Sequence, residues 1–583
     1  MNRWRIRFNS RIFLMVLCGI SVLSLAALAQ LAPTVGWPQW GQNPQHSGTV
    51  TVPGQNLTNI IADITYDPFV PQEQAANGGE LLAHYQAPLL DGSDAYMEVE
   101  TGTYDPNDPS TRTWNEQKFT SSGGSLVSVW NFASDWRPVK PANLGGWEPV
   151  FHAVLSGNYV YVPGARGTAY KLNKSDGSVV AQFSFSGSDG NTFVTGPLTA
   201  DSAGNIYYNA FRFVDASNIN GDDVVNSWVV KIGSDGTVTT ATYASLVPNP
   251  ESTCLGTFST AELPWPPSPT ATPGTITCGL QRPGFNVAPV ISPDGNTLYT
   301  VSRAHFSSRN AYLVAVNLPS LTPKWKSSFL GLLNDGCNND AGTFRGSVLP
   351  ANGQPGGCRL GSTPGVDPAQ NVRPAPRVID QSSSVPTVSP DGSFVLYGSY
   401  ARYNFARGHL LKFSASDGSF QAEYDFGWDS TPPVTPNSAS TVIKDNHYDV
   451  GSYCNDPTFC PVAPKGPYYM TQLSTENGRV VSGVATLTPQ WKFQNTSTDA
   501  THNNGFEWCI NATAIDSNHV VYANSEDGSI YAIYGSGPNA GTLRDSHFLR
   551  QAIGAAYTPL SIAADGRIYT ENDGHMFVLA TSP

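Results

Sequence analysis

A hairpin pattern of apolar strands and polar turns repeats along most of the chain. Its clearest copies are TVSPDGSFVLY at 387–397 and ISPDGNTLY at 291–299. Asp-Gly and Gly-Asn pairs favour tight hairpin turns, and aliphatic residues alternating with tyrosine are typical of half-buried strands. Eight such turns are predicted, at Asp91-Gly92, Gly157-Asn158, Gly204-Asn205, Asp294-Gly295, Asp391-Gly392, Asp445-Asn446, Ser517-Asn518 and Asp565-Gly566.

Several copies of the pattern continue into a third strand, a second turn and a fourth strand. One example is YKL at 170–172, followed by SDG at 175–177 and SVVAQF at 178–183. A four-stranded antiparallel unit that repeats in this way is a propeller blade, which buries its faces against its neighbours. The sequence therefore predicts an all-β fold, a single β-propeller of about eight four-stranded blades over residues 30–583.

The spacing between the predicted turns is uneven. A bare blade needs about 40 to 50 residues, and the two longest spacings contain surplus segments at about 249–284 and 336–377. We expect these insertions to project from one face of the propeller. The chain ends in a strand at 575–580, and we expect Ile60–Thr65 to complete the last blade and close the ring.

Four of the eight cysteines fall in these insertions, and Cys18 lies near the N-terminus. Neighbouring pairs predict three disulfides, Cys254–Cys278, Cys337–Cys358 and Cys454–Cys460, each within its own loop. Cys509 is left over, either as a buried thiol or as an alternative partner in the third pair. The absence of any C-x-x-C spacing from the sequence argues against a zinc ribbon.

The first 29 residues have the pattern of an export signal. Four arginines precede a short apolar stretch, and Ala27-Leu28-Ala29 supplies a cleavage site of small residues. A membrane anchor is the alternative, but the apolar run is short and broken by Gly19 and two serines. We therefore expect a secreted, periplasmic or cell-surface protein with no transmembrane segment after processing.

The charge balance narrows the range of partners. The formal net charge of the whole chain is -13. Residues 30–583 are more acidic still, because four of the arginines lie in the leader. Nucleic acids and anionic membrane surfaces attract basic proteins, so neither is an expected partner.

The segment WPQWGQNPQHSG at 37–48 resembles the opening W-P-x-x-G-x-x-P-x-H-x-G of exported propellers with pyrroloquinoline-quinone-like repeats. The blades resemble that repeat too, as at 157–172 and 518–533. The resemblance covers 37–583 outside the insertions and implies the propeller fold. It implies no single function, because this superfamily contains quinoprotein dehydrogenases, an outer-membrane assembly lipoprotein and unassigned exported proteins. We expect His46 in the motif to be packed and hydrogen-bonded rather than a ligand.

The features that accompany the quinone in the dehydrogenases of this superfamily are missing from the sequence. Those enzymes stack the cofactor on a disulfide between adjacent cysteines, and no two cysteines are adjacent here. A C-x-x-C-H motif for a c-type haem is missing too. The resemblance therefore argues for a non-catalytic member without bound pyrroloquinoline quinone.

Loops that precede the innermost strands rim the channel of a propeller, and ligands often bind there. The candidate ligand-binding residues at these positions are Trp147, Glu148, His152, Arg282, Asn286, Arg377, Glu507 and Trp508. The alternative is a structural rim of solvated polar groups, because no spacing among them specifies a ligand.

A second candidate site is the loop N-I-N-G-D-D-V-V-N at 218–226. Oxygen ligands at alternate positions around a glycine resemble a calcium loop, with Asn218, Asn220, Asp222 and Asn226 as ligands. Val229 stands where a bidentate acid is expected, so a polar hairpin loop is the competing interpretation. Calcium is the one cofactor that this pattern suggests.

The leading functional hypothesis is a non-catalytic exported propeller that acts as a binding or scaffold module. Its partner would be an unidentified protein or a small polar ligand, and we expect a monomer. The alternative hypothesis is an enzyme, either a quinoprotein-type oxidoreductase or another activity, with its site at the channel mouth.

Overall fold

The computed structural model describes residues 36–122, 125–140, 144–187, 189–214, 224–338, 348–354, 356–447, 466–481, 483–550 and 558–582. The described chain is almost entirely β-structure. Its α-helices are short, α1 (Val70–Ala76) and α2 (Tyr243–Leu246), and 3₁₀ turns occur at Pro109–Thr111, Ala165–Gly167 and Thr260–Glu262. Strand β1 (Asn59–Thr65) comes first in the chain, before the eight blades begin.

The blades are numbered in chain order. Blade 1 contains β2 (Leu89–Asp91), β3 (Asp94–Gly102), β4 (Arg112–Ser122) and β5 (Ser125–Ala133). Blade 2 contains β6 (Val154–Ser156), β7 (Tyr159–Pro163), β8 (Ala169–Asn173) and β9 (Val179–Phe183). Blade 3 contains β10 (Thr192–Ala200), β11 (Ile206–Phe213), β12 (Val224–Ile232) and β13 (Val238–Thr242). A separate hairpin follows, β14 (Thr253–Leu255) with β15 (Thr275–Thr277).

In blade 4, β16 (Gln281–Arg282) and β17 (Val290–Ile291) both pair with β18 (Thr297–Ala304), and β19 (Ser307–Asn317) and β20 (Thr322–Ser328) follow. Blade 5 contains β21 (Thr387–Val388), β22 (Phe394–Ser399), β23 (His409–Ser414) and β24 (Phe420–Asp425). Blade 6 contains β25 (Ser440–Asp445), β26 (Tyr469–Val481) and β27 (Val484–Gln494). Blade 7 contains β28 (Ala514–Ile515), β29 (Val520–Asn524), β30 (Ser529–Tyr534) and β31 (Leu543–Phe548). Blade 8 contains β32 (Leu560–Ile562), β33 (Ile568–Asn572) and β34 (His575–Ala580).

Blades 5 and 6 share one seven-stranded sheet. Their outer strands β24 and β27 pair in parallel at Glu423 and Thr486, because the β26–β27 hairpin is longer than those of the other blades. The inner strand of blade 6 is reduced to one antiparallel bridge, between Val434 and Thr441. With this bridge counted, blade 6 has four strands like the others, and the prediction of eight four-stranded blades is confirmed.

The N-terminal strand β1 closes the ring. It pairs antiparallel with β34 over Asn59–Thr65 and supplies the fourth strand of blade 8. A hydrogen bond from Arg567 Nη1 in blade 8 to Ser121 Oγ in blade 1, 2.8 Å long, joins the first and last blades. The predicted closing strand is therefore confirmed, and it covers an edge of β34 that would otherwise be free to pair with another chain.

The two ends of the blades differ. We call the end where each blade is entered, and where its second and third strands are joined, the insertion face; the opposite end is the turn face. The described connections of the turn face have at most eight residues, the longest being 535–542. The insertion face carries the long connections 66–88, 134–153, 243–280, 329–386 and 495–513.

One predicted turn is wrong. Asp445-Asn446 lies at the end of β25 on the insertion face, and the turn of blade 6 is 435–439. Asp445 is buried and accepts hydrogen bonds from Lys492 Nζ at 2.7 Å and Tyr424 Oη at 2.9 Å. Asp445 therefore makes side-chain contacts within blade 6 and with blade 5, which local sequence does not reveal.

The core lies between neighbouring blades. One buried cluster spans the facing sides of blades 1, 2 and 3, with Tyr96, Val160, Leu172 and Ile206 among its members, all fully buried. Alternate residues of each strand thus pack against the next blade, as the repeat pattern requires.

Two of the three predicted disulfides, Cys254–Cys278 and Cys337–Cys358, are present. Cys509 is a buried free thiol. The third pair, Cys454–Cys460, lies outside the described residues, as do the leader at 1–29 and three of the four residues of the calcium-like loop, Asn218, Asn220 and Asp222. The fourth, Asn226, lies in β12, where its side chain accepts a hydrogen bond from the Ser227 amide. Among the described helices, none has the length and apolarity needed to cross a membrane.

Candidate functional site: the channel and the insertion face

The N-terminal segment 36–55, which we call the channel segment, runs around the inside of the propeller and contacts the blades in chain order. Main-chain hydrogen bonds link Trp37 with Leu90 in both directions, and the Leu155 amide donates to Pro38. Further along, the amides of Ile291, Val388 and Val434 donate to successive carbonyls of the segment, those of Pro44, Gln45 and Ser47. The remaining contacts are Gln39 with Ala200, Gly48 and Val50 with Ile515, and Gln55 with Gly566. All eight blades are bound by this segment.

Two glycines of the motif are required by this path. Gly41 has φ of 61°, and a Cβ there would lie 2.7 Å from His46 Cα. Gly48 has φ of 64°, and its Cβ would lie 2.7 Å from Pro433. Since other residues rarely adopt positive φ, the motif is explained by its place inside the ring.

Histidine 46 is a packed residue of this segment, as the sequence predicts. It is fully buried, and its Nδ1 lies 3.1 Å from the Pro386 carbonyl oxygen. Burial lowers the pKa of His46 to about 4, so its imidazole is neutral at physiological pH.

Trp40 fills the centre of the channel. Its ring belongs to one buried cluster with Val150, Ala288, Val385 and Ala512, which precede the inner strands of blades 2, 4, 5 and 7. The indole Nε1 donates to Thr431 Oγ1 at 3.1 Å. Because the ring contacts residues from several sides of the propeller, the axis of the channel is occupied by protein.

Side chains from opposite blades also meet above Trp40, at the insertion-face mouth of the channel. Trp147, which precedes blade 2, makes an edge contact at 5.7 Å with Trp428, which precedes blade 6. His84 stacks on Trp147 at 4.8 Å, and its Nε2 lies 3.3 Å from Asp429 Oδ1. The side chains of His84 and Asp429 are fully buried, so the mouth is bridged by protein side chains.

Asp429 is held in a strained backbone. Its φ is 44° and that of Phe426 is 131°, conformations that are rare outside glycine. Ser383 Oγ donates to Asp429 Oδ1 at 3.0 Å, and the Ser383 amide donates to the same oxygen. Although burial opposes ionisation, contacts with His84, Lys444 and Ser383 keep the pKa of Asp429 below its usual value. His84 and Asp429 were not singled out by the sequence, because they come from two connections far apart in the chain.

Glu148 faces away from the channel axis. Its carboxylate accepts from Arg112 Nη2 at 2.6 Å and from Trp114 Nε1 at 3.1 Å. Arg112 also binds Glu73 and Glu100, both at 2.9 Å. The predicted rim residue therefore fastens the connection 134–153 to blade 1.

His152 and Asn286 lie inside the channel wall. His152 Nδ1 is 2.6 Å from the Ala153 carbonyl, its ring contacts Trp40 edge-on at 5.4 Å, and burial lowers its pKa to about 3. Asn286 Oδ1 accepts from the Val150 amide at 3.1 Å. Both residues are fully buried, and their contacts are those of residues that order the connections.

The side chains of Glu507 and Trp508, which are neighbours in the chain, lie in different environments. Trp508 is fully buried and contacts Tyr531 edge-on at 5.2 Å. Glu507 is partly exposed and lies with Cys509 and Glu526, whose ligand atoms are all within 4.8 Å of one another. Burial raises the pKa of the Cys509 thiol, so it is not poised as a thiolate nucleophile.

A buried histidine cluster occupies the insertion-face end of blade 5. His409 Nδ1 lies 2.7 Å from Glu423 Oε2, and its Nε2 lies 2.8 Å from Asp335 Oδ2. Although burial opposes protonation, these carboxylates raise the pKa of His409 well above its usual value. The imidazolium ties the connection 329–386, through Asp335, to strands β23 and β24.

Arg282 and Arg377 lie on the insertion face of blades 4 and 5. Arg282 binds both oxygens of Asp380, at 2.6 and 2.7 Å. Arg377 is partly buried, with its guanidinium 5.9 Å from the centre of the Tyr400 ring. Asn286 Nδ2, 3.4 Å from the Asp380 carbonyl, joins this region to the channel wall.

A polar cavity of about 520 Å³ opens between blades 6 and 7. None of its described lining residues is charged; they are Gly466, Pro467, Gln494, Asn495, Thr496, Thr498, Asn503, Asn504 and Gly505. Cavities of this size hold small molecules in many proteins.

Comparison with known proteins bears on the fold. No family model and no curated protein matches the sequence. Among solved structures, the quinohemoprotein alcohol dehydrogenase from Comamonas testosteroni is 11% identical, with a TM-score of 0.51 over 94% of this chain and 81% of that chain. A europium-containing methanol dehydrogenase is 10% identical (TM-score 0.49, 93% and 90% coverage), and Sqt1 from Saccharomyces cerevisiae is 10% identical (TM-score 0.43, 90% and 99%). The similarity to the quinohemoprotein alcohol dehydrogenase shows that the chain has the propeller fold found in quinoprotein dehydrogenases, as its repeats predict.

The residues of this chain do not fit a quinone at the channel mouth. The two described disulfides each join cysteines more than 20 positions apart, and no adjacent pair exists in the sequence. The space above Trp40 is occupied by the Trp147–Trp428 pair, whose rings are no more than 9% exposed. A planar cofactor there would have to displace this buried contact.

Proposed function

We propose that this chain is an exported, non-catalytic binding or scaffold module that holds a protein partner on its insertion face. The observation that carries the proposal is the asymmetry of the ring. Short turns form one face, whereas the long connections and both described disulfides lie on the other. Long connections on a rigid scaffold are where proteins usually carry their binding residues.

The filled channel favours binding of a partner on the surface of the propeller over binding along its axis. Trp40 and the Trp147–Trp428 pair occupy the axis, where a propeller enzyme would need space for a substrate. A partner would instead contact the exposed tops of the connections.

Several exposed apolar side chains lie on the insertion face at blades 4 and 5. Leu360 is 77% exposed, Val372 42% and Phe306 38%, and Ile276 and Leu280 of the disulfide-bearing hairpin are similar. Exposed apolar groups beside polar ones are typical of protein interfaces. They give the surface apolar anchors for a protein partner.

The proposed location is outside the cytoplasm. The two disulfides are compatible with an oxidising compartment, and the leader pattern at 1–29 supports export.

Capture from an envelope extract tests the role. We expect the processed chain to retain one defined protein, and Leu360→Ser to reduce that retention at least tenfold. Val480→Ser is the matched control, because Val480 is 73% exposed but lies at the turn-face end of blade 6. Equal loss with both variants, or retention of no defined protein, would refute the proposed role of the insertion face.

The enzymatic alternative has its own test. Incubating the processed chain with calcium and pyrroloquinoline quinone should leave no bound chromophore and no dye-linked alcohol oxidation. A stoichiometric chromophore would favour an oxidoreductase.

A further inference from the structure

An excess of positive charge is concentrated at one place on the insertion face of this acidic protein. Arg303 lies near the end of β18 and Arg309 near the start of β19, on either side of the short connection 305–306. Arg377 is in the next connection, bridged to Tyr400. The Val378 amide donates to the Ser308 carbonyl at 3.3 Å, which brings Arg377 and Arg309 together.

The available carboxylates are already occupied. Arg282 takes both oxygens of Asp380 at 2.6 and 2.7 Å, so Arg303 has a longer contact, 3.3 Å, to one of them. Its other hydrogen bonds go to uncharged acceptors, the carbonyls of Ala304 and His305. Asp367 contacts Arg309 at 3.1 Å. The same carboxylate also accepts from Tyr403 Oη and from the Ala369 amide, both at 2.9 Å. In the described part of this region, the guanidinium groups of Arg282, Arg303, Arg309 and Arg377 thus share the carboxylates of Asp380 and Asp367.

Among the described residues of this cluster, Arg377 is the group without a counterion. Within the described part of the chain its guanidinium makes no hydrogen bond, and its nearest ring contact is the Tyr400 face at 5.9 Å. Asp367 is the carboxylate that acts electrostatically on Arg377, and it already forms an ion pair with Arg309. Arg402 and His305, which also act on this cluster, bring no negative charge.

Burial and mutual repulsion lower the pKa values of two of these arginines. Burial, with repulsion from Arg282 and Arg377, lowers the pKa of Arg303 to about 9. Burial, with repulsion from Arg309, lowers the pKa of Arg377 to about 10. An anion placed between the guanidinium groups would relieve both effects.

We propose that Arg303, Arg309 and Arg377 form an oxyanion-binding site that takes a carboxylate, phosphate or sulfate group. Arginine suits this task because its planar fork donates two parallel hydrogen bonds to an oxyanion. The site is also sheltered, since the side chains of Arg303 and Arg309 are only 10% and 14% exposed, and charge interactions strengthen away from water.

The oxyanion has two sources, a small free ligand or an acidic side chain of the partner. The second source rests on the proposed function. Phe306 stands between Arg303 and Arg309 in the chain and is 38% exposed, so an acidic residue of a bound protein could meet the arginines beside an apolar anchor.

Binding of defined probes to the purified processed chain tests the site. Inorganic phosphate and a hexaglutamate peptide are titrated against the chain at constant ionic strength, with chloride as the reference anion. We expect saturable binding of at least one probe, weakened about tenfold to a hundredfold in Arg377→Gln. Arg377→Lys should fall between, because it keeps the charge and loses the fork.

Arg479→Gln is the matched control, because Arg479 is exposed at the turn-face end of blade 6 and should bind as the wild type does.

Folding offers a second readout. Because Arg377 donates no hydrogen bond to the described protein, Arg377→Gln should be at least as stable as the wild type without phosphate, and less stable than it in saturating phosphate.

The outcomes separate the two sources and the two proposals. Tighter binding of phosphate than of hexaglutamate indicates a small ligand, and the reverse indicates an acidic partner. Binding of neither probe, or equal affinity in the wild type and Arg377→Gln, overturns the site. Partner capture by Arg377→Gln is measured separately. The anion-binding site can therefore be refuted while the proposed binding function stands, and the binding function can be refuted while the site stands.

Discussion

Replacing Glu116 by Gln probes the acidic interior of blade 1. Glu116 is fully buried on β4, opposite Glu98 of β3. Gln86 Nε2 donates to its Oε1 at 3.2 Å, and its Oε2 has no hydrogen-bond partner among the described residues. Burial raises the pKa of Glu116 from 4.5 to about 8, so the carboxyl is protonated in the folded protein at neutral pH.

The sign and size of the effect follow from proton linkage. Between the unfolded pKa of 4.5 and the folded value of about 8, unfolding releases a proton, so the free energy of unfolding falls as pH rises. At 1.36 kcal/mol per pH unit, the contribution of this one group falls by about 3 kcal/mol from pH 5 to pH 7. Glutamine keeps the shape and the hydrogen bond with Gln86 and cannot ionise, so the variant should lack this contribution.

Urea unfolding followed by tryptophan fluorescence at pH 5, 6, 7 and 8 measures the effect. We expect the stability of Glu116→Gln relative to the wild type to rise steadily with pH, by about 3 kcal/mol over the first two pH units. Glu476→Gln, at an exposed position of β26, should follow the wild-type curve. If the wild type and Glu116→Gln give parallel curves, Glu116 is not a protonated buried acid and the reasoning is refuted.

Two further perturbations test the channel and the insertions. Trp40→Ala should lower the free energy of unfolding by about 3–5 kcal/mol, because Trp40 is 1% exposed at the centre of the ring; a loss below about 1 kcal/mol would place its ring outside the core. Replacing Cys254 and Cys278 together by serine opens a loop of 24 residues and should destabilise that loop by about 3 kcal/mol. Limited proteolysis should then cut 249–284 about a hundredfold faster while the blades resist, whereas unchanged cleavage would show that the disulfide does not order the loop.

The blades are readable from sequence because each is a local unit. Its Asp-Gly turn and alternating strands lie within about 50 residues, so seven of the eight predicted turns, and the closing strand opposite β34, are where the structure has them. The exception is blade 6, where the turn 435–439 contains no Asp-Gly or Gly-Asn pair and Asp445-Asn446 resembles one by chance.

The candidate site was much less predictable. Of the residues singled out before the inner strands, His152 and Asn286 lie in the channel wall, whereas Glu148 faces blade 1. The environment of each side chain depends on what packs over it. Trp147 is covered by Trp428, more than 280 positions away in the chain. The spacing of residues also could not reveal that 37–48, recognised as a motif, would line the inside of the first seven blades.

The excess of arginine on blades 4 and 5 was equally hidden. Arg282 and Arg377 were selected for their position before inner strands, yet the first is neutralised by Asp380 and the second is not. Counting charges in the sequence gives an acidic protein, and only the fold shows where the basic groups are concentrated.

Amide hydrogen exchange of the segment 36–55, followed by mass spectrometry, tests the central claim that the propeller is closed around its own N-terminal segment. The amides of Trp37, Gly48 and Val50 donate to Leu90, Gly41 and Ile515, so peptides from this segment should exchange as slowly as those from β22 or β29. Exchange of the whole segment within seconds, at the rate of an exposed loop, would show that the channel is open and would contradict the account.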